Sequence, residues 1–337
     1  MNKSKIIISL LLLLVFIGRF IPSSFAQLAD LSISPPLIEM AIKPGKVVLI
    51  AYTLHNFGDP TVITTKVLPF EPKDSNGNIK IKEEFEGPIR FSLDNNDIQL
   101  DKPFFLRTKT SQQLLLRMRV PEGAPAGDYY YTFISETQAP PSLDGNTSPR
   151  SKVAIGSNIL ITVTSDGNIE VKGRISKFNV IPHFTLPKIF NNLTIFDVGD
   201  KIPIILTLEN TGNNLIKPYG NIIMKGSFGE IATYDLIPQN ILAHSQRTIL
   251  ATPSAMIDCQ DDKNMRLCKA SNTLTLAGFF LGNYKLSTTI NFGENTGILN
   301  ASTSFLVFPV KLTIGLAIMF LILYLIFRKV RSTESET

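Results

Sequence analysis

Residues 43–58 read KPGKVVLIAYTLHNFG, and residues 197–212 read DVGDKIPIILTLENTG. Set against each other at an offset of 154, Gly45/Gly199, Ile50/Ile204, Thr53/Thr207, Leu54/Leu208, Asn56/Asn210 and Gly58/Gly212 are identical. Most other positions stay apolar. The same pairing recurs downstream, where Gly127-Asp-Tyr129 matches Gly282-Asn-Tyr284 at an offset of 155. Each copy describes a turn, a buried strand ending Thr-Leu-x-Asn-x-Gly, and a later strand opening Gly-x-Tyr. The Asn-x-Gly end supplies a side-chain cap and a residue that tolerates positive φ. A Tyr in the last position can bury its ring while its hydroxyl meets a backbone partner, as at a tyrosine corner. Asn56, Gly58, Asn210, Gly212, Tyr129 and Tyr284 are therefore the candidate structural residues.

Outward from these copies the chain reads as strands. Short β-branched and aromatic runs cover Lys46–His55, Val62–Phe70, Gln113–Val120, Tyr129–Ser135, Ile159–Thr164, Ile202–Leu208, Ile222–Gly226 and Tyr284–Ile290. Pro44-Gly45, Asn76-Gly77, Asp144-Gly145, Asp166-Gly167 and Thr211-Gly212 supply turns between them. No long stretch has the 3.6 period of a helix. Many short strands with this spacing predict an all-β fold, with two tandem Ig-like β-sandwich domains at 27–165 and 166–306. The joint Ser165–Asn168 is expected to allow limited bending between them.

The ends carry addresses. Lys3 and Lys5 precede an apolar run, Ile6–Ile17, and Ser24-Phe25-Ala26 offers small residues at −3 and −1, so residues 1–26 read as a secretory signal peptide. An uncleaved anchor is the alternative, for which the run is short. Phe308–Phe327 is apolar apart from Lys311, which gives a transmembrane helix over 307–327 with Lys311 snorkelling to the interface. Arg328, Lys329 and Arg331 then mark residues 328–337 as a cytoplasmic basic tail, too short to fold. The expected location is the cell membrane, single-pass type I, with the body outside the cytoplasm.

Composition narrows the function. Of 337 residues 18% are charged, against ~25% in typical soluble chains, and the formal charge of +5 lies wholly in the two ends. The neutral body lacks the basic surface that nucleic acid requires, so no nucleic-acid partner is expected. His55, His183 and His244 are isolated, and no serine-nucleophile, dinucleotide or phosphate-loop motif occurs. No catalytic residue, cofactor or metal is assigned, and the protein is read as a non-enzyme. Asp74–Asn78 has its Gly at the wrong place for a calcium loop and reads as a hairpin turn. Asp94–Asp97 and Asp258–Asp262 read as solvated loops. Cys259 and Cys268 can pair after export, closing a short loop, with two free thiols as the alternative. Gln138–Lys152 and Phe70–Phe91 are the loops long enough to serve as binding surfaces.

The two Gly…Thr-Leu-x-Asn strands with a later Gly-x-Tyr resemble bacterial surface Ig-like modules of the CARDB and alpha-galactosidase-associated type. The order of signal peptide, two such domains, membrane helix and basic tail resembles the WxL-interacting surface proteins. That resemblance implies binding to peptidoglycan or to a partner surface protein. The chain is accordingly expected to be a non-catalytic envelope protein that binds an envelope polymer or partner protein, domain one being the recognition module. The alternatives are an accessory subunit of a membrane complex and a two-domain chaperone. Pilus chaperones also pair two Ig-like domains, but without a membrane span.

Overall fold

Alternation decides which way each strand faces, because successive side chains leave opposite sides of the sheet. In β3 (Val47–Asn56) the buried residues are Ile50, Tyr52, Leu54 and Asn56. In β14 (Ile202–Asn210) Ile202, Ile204, Leu206, Leu208 and Asn210 occupy the buried face. Each strand is central to its own sheet and feeds its own hydrophobic core, one drawn from residues 31–163 and the other from residues 180–307. The computed structural model describes residues 30–138, 152–181, 184–185, 194–252, 257–262, 265–270, 273–293 and 297–334, with backbone alone for 184–185, 257–262, 265–270 and 328–334. The signal segment 1–26 and residues 139–151 of the Gln138–Lys152 loop lie outside the described residues.

In the first half, β1 (Leu31–Ser34), β3, β8 (Thr110–Arg119) and β6 (Arg90–Leu93) form one sheet in that order. Against it pack β2 (Leu37–Ile42), β10 (Ala154–Val163), β9 (Gly127–Thr137), β4 (Thr61–Pro72) and β5 (Ile79–Ile81), with β7 (Pro103–Leu106) also on β4. In the second half β14 lies between β11 (Gly173–Val180) and both β17 (Gln246–Thr248) and β21 (Leu274–Leu276). The facing sheet runs β12 (Phe184–Thr185), β13 (Thr194–Phe196), β23 (Leu299–Val307), β22 (Gly282–Asn291), β15 (Tyr219–Gly226), β16 (Ile231–Leu236) and β18 (Ala251–Thr252). A separate hairpin, β19 (Ile257–Asp262) with β20 (Met265–Ala270), sets Cys259 opposite Cys268 in register.

The halves share one topology. The opening strand divides itself between the two sheets: β1 is antiparallel to β3 while β2 is parallel to β10. Correspondingly, β11 is antiparallel to β14 while β13 is parallel to β23. The triplet β4–β9–β10 likewise corresponds to β15–β22–β23. A strand shared between sheets, and central strands of two facing sheets, are the marks of an immunoglobulin-like sandwich. The repeated sequence is thus a repeated architecture.

After β23 the chain turns directly into α1 (Val310–Glu334), of which Val310–Phe327 is long and apolar enough to cross a membrane and is not covered by the body. Its 25 residues span ~37 Å. The helix continues past Phe327 through the basic segment expected to stay unfolded. No Pro or Gly occurs between Leu316 and Glu334 to stop it.

Candidate functional site

The Asn-x-Gly ends act alike. Asn56 Oδ1 accepts the Gly58 N–H at 3.0 Å, and Asn210 Oδ1 accepts that of Gly212 at 2.9 Å. Each buried amide then donates to two other segments: Asn56 Nδ2 to Asp59 O and to the 106–107 carbonyls, Asn210 Nδ2 to Asn214 O and to the 241–242 carbonyls. Gly212 differs from expectation. It is needed for closeness, not for positive φ, since a Cβ there would lie 3.0 Å from Glu170 O.

The two tyrosines are not equivalent. Tyr284 is 2% exposed, stacks on Phe305, accepts from Leu281 N and donates to Glu230. Tyr129 is half-buried, its hydroxyl donating to Pro125 O at 3.0 Å. The fully buried tyrosine of β9 is Tyr131, whose hydroxyl donates to Glu86 O and whose pKa is pushed up to about 12 by burial.

The Asn210 loop is also where the halves meet. Asp128, the middle residue of Gly-x-Tyr, gathers donors from both. Its carboxylate accepts Tyr130 Oη and Thr162 Oγ1 at 2.8 Å from the first half. From the second it accepts Asn214 Nδ2 at 2.9 Å and the Leu215 N–H. Tyr130 Oη in turn accepts the Ala243 N–H at 2.9 Å, and burial with the adjacent Asp128 charge raises the Tyr130 hydroxyl pKa. Glu39 on β2 meets Asn240 and Lys217. The joint itself is a closed turn, with Asp166 accepting from Thr164 and Asn168. The expected bending is therefore opposed by bonds on both sides of the joint.

The Phe70–Phe91 loop forms the third contact. Asp74 closes the hairpin by accepting the Asn76 and Asn78 N–H groups, and Gly77 sits at φ 86°, as a tight turn requires. The hairpin tip lies on the second half: Ser75 O accepts the Thr248 N–H at 2.7 Å. A Cβ on Gly77 would meet the Arg247 guanidinium at 2.6 Å. Beside it lies a groove of about 260 Å³ walled by Leu37, Phe70, Leu160 and Leu242, whose polar lining includes Asn158, Asn240, Gln246 and Arg247 together with the carboxylate of Asp74. Arg247 donates to Gln239 Oε1 at 3.1 Å and Asn240 O at 2.8 Å, and burial lowers its pKa. Among the described residues no carboxylate neutralises it. A half-desolvated guanidinium held by neutral acceptors can bind an anionic or carbonyl group by charge-assisted hydrogen bonds.

The remaining predicted residues lie apart. His55 stacks on Phe57, and His244 Nε2 is 3.0 Å from Asn213 Oδ1. Asp94 pairs with Arg117 at 2.7 Å, and Asn95 bonds to the β8 backbone. His183, and the side chains of Cys259, Cys268 and Asp258–Asp262, lie outside the described residues. Among the described residues no three His, Cys, Asp or Glu side chains gather as a metal site. At the other end of the second half, Lys311 in the first turn of α1 pairs with Asp197 at 3.0 Å and Asp200 at 3.6 Å, and Phe308 N–H donates to Phe196 O. Lys311 is thus tied to the body by two carboxylates.

Sequence reasoning singles out neither Asp128 nor Arg247. Asp128 has a signal, an acid inside a Tyr-rich strand opening whose repeat partner is neutral Asn283. Arg247 has none.

No known protein family matches this chain, and no curated protein does. Among solved structures, the class 5 fimbriae chaperone CfaA superposes with a TM-score of 0.34 at 12% identity, covering 82% of this chain and 99% of that one. The Escherichia coli chaperone DraB gives 0.33 at 12%, covering 81% and 98%. A Porphyromonas gingivalis protein of unknown function gives 0.26 at 11%, covering 82% and 98%.

Proposed function

We propose that this protein is a non-catalytic binding protein of the cell envelope, anchored by α1 with its body outside the cytoplasm and its C-terminus inside. Its partner is an envelope polymer or a surface protein, as the likeness to WxL-interacting surface proteins implies. The signal segment 1–26 is removed, and 27–165 and 166–306 act as two domains. The observation that supports this reading most is the unneutralised Arg247 in an apolar-walled groove between bridged halves. Its guanidinium offers a partner a charged donor, while the groove's own carboxylate, Asp74, is engaged in closing the hairpin turn. The partner's contribution is an acidic or carbonyl-rich segment.

The test uses full-length protein in detergent, incubated separately with purified peptidoglycan sacculi and with solubilised membrane extract. Retention on one of them, weakened about tenfold in Arg247→Gln by loss of a charge-assisted contact, is the expected result. Breakdown of the retained polymer, or full retention by the variant, contradicts it. An accessory-subunit reading draws on a different observation, the uncovered flank of α1. It requires one membrane protein to co-purify in fixed stoichiometry.

A further inference from the structure

Among the described residues outside α1, the three most exposed large apolar side chains are Phe279 (78%), Phe228 (73%) and Ile231 (68%). All three lie at one end of the second half. Gly226 pairs with Tyr284, so the β15–β16 turn carrying Phe228 lies beside the start of β22. Gly282 pairs with Val307, so the loop carrying Phe279 lies beside the end of β23, three residues before α1 begins. The turn is fixed: Ser227 Oγ donates to Asn283 O at 2.9 Å, and Gly282 leaves room for the Phe228 ring.

The charges at this end are sorted by sign. Asp197 and Asp200 are taken up by Lys311, and the Glu230 carboxylate accepts Phe228 N–H and Tyr284 Oη. Lys201, Lys225 and Lys285 are exposed and carry no ion pair among the described residues. Apolar tips ahead of free lysines, around the root of an apolar helix, form the layered arrangement of a bilayer interface, where aromatic rings sit at headgroup level and ammonium groups meet phosphate.

We propose that this end of the body is a second membrane contact. Phe228 and Phe279 are seated in the interfacial layer of the bilayer that α1 crosses, with Lys201, Lys225 and Lys285 at its phosphates. The inference rests on the reading of α1 as a membrane span, and the occupant is lipid, not a second copy or a protein partner.

The chain contains no Trp, so one introduced Trp reports one position. Phe228→Trp, Phe279→Trp, Phe105→Trp and Phe320→Trp are made in the full-length protein and reconstituted in phosphatidylcholine vesicles with 20% phosphatidylserine. The probes are lipids brominated near the headgroup or deep in the acyl chain. The expected result is deep quenching at 320, at least twofold quenching by shallow bromine at 228 and 279, and none at 105, an exposed site on the first half. Quenching at 320 with 228 and 279 behaving like 105 overturns the contact and leaves the span standing. Absence of quenching at 320 overturns the span itself. A blue-shifted but unquenched Trp at 228 or 279 indicates a protein neighbour and also overturns the proposal.

Discussion

Each half uses the same end to hold the next segment of the chain. In the first, the end where β10 finishes and β9 opens carries Asp128, which binds Asn214 and Leu215 of the second half. In the second, the equivalent end carries Asp197 and Asp200, which bind Lys311 at the root of α1. The substitutions behind this are few. Asp128 corresponds to Asn283, and Asp197 and Asp200 correspond to Lys43 and Lys46, both exposed in the first copy. The scaffold is retained, with Asn56 and Asn210 making matching bonds, while the charges at the exit end differ between the copies. One fold thus holds the second half at this end of its first copy and the root of α1 at the same end of its second.

The sharpest way to break the equivalence is to remove the two tyrosines. Tyr284→Ala should cost about 3–5 kcal/mol, by lost burial and a cavity. Tyr129→Ala should cost about 1–2 kcal/mol, because its ring is half in solvent and one net hydrogen bond is worth ~1 kcal/mol. Urea unfolding of the two variants checks the inequality, and equal losses would restore the simple repeat.

Next in size is the junction. Asp128→Ala leaves four part-buried donors without their acceptor and should cost about 3 kcal/mol, at somewhat under ~1 kcal/mol for each. Calorimetry should then resolve two transitions where the intact protein gives coupled unfolding. A variant melting like the parent would mean that the halves do not support each other through Asp128.

The smallest effect is the titration of the helix clamp. Lys311 holds the Asp197 carboxyl below the ordinary aspartate range. A depressed folded pKa contributes stability that is complete above the unfolded value of ~3.9 and lost only as pH falls through the lower folded value. The clamp should therefore be unchanged between pH 7 and pH 5 and weaken only below about pH 4. A carboxyl-carbon NMR titration of Asp197 checks this, and Lys311→Met should move its midpoint upward.

How much of this is legible in the sequence depends on the range of the interactions. The core strands, the Asn caps and the apolar span are legible because each is written in local period and composition. Asp74–Asn78 is legible as a turn for the same reason. Its role as a clasp is not, because Ser75 meets Thr248 only after both halves have folded and docked. Arg247 and Asp128 are hidden in the same way, since nothing local separates a docking residue from a solvated one. For Tyr129 the hydroxyl has the expected backbone partner, Pro125 O, while the ring is only half-buried. Gly-x-Tyr alignment sets the inward face, but not how far along the strand the rim lies, and in β9 the buried tyrosine comes two residues later at Tyr131.

The Lys311 ion pairs and the Phe308–Phe196 bond make the body a rigid extension of α1, on which the proposed stance at the membrane depends. The most direct measurement is the distance distribution between spin labels at Ser304→Cys, exposed on β23, and Leu316→Cys on α1, with Cys259→Ser and Cys268→Ser in the background and the full-length protein in lipid nanodiscs. The account predicts one narrow distribution that broadens when Asp197→Asn and Asp200→Asn are combined. A distribution already broad with both acids present, or one indifferent to their removal, would contradict it.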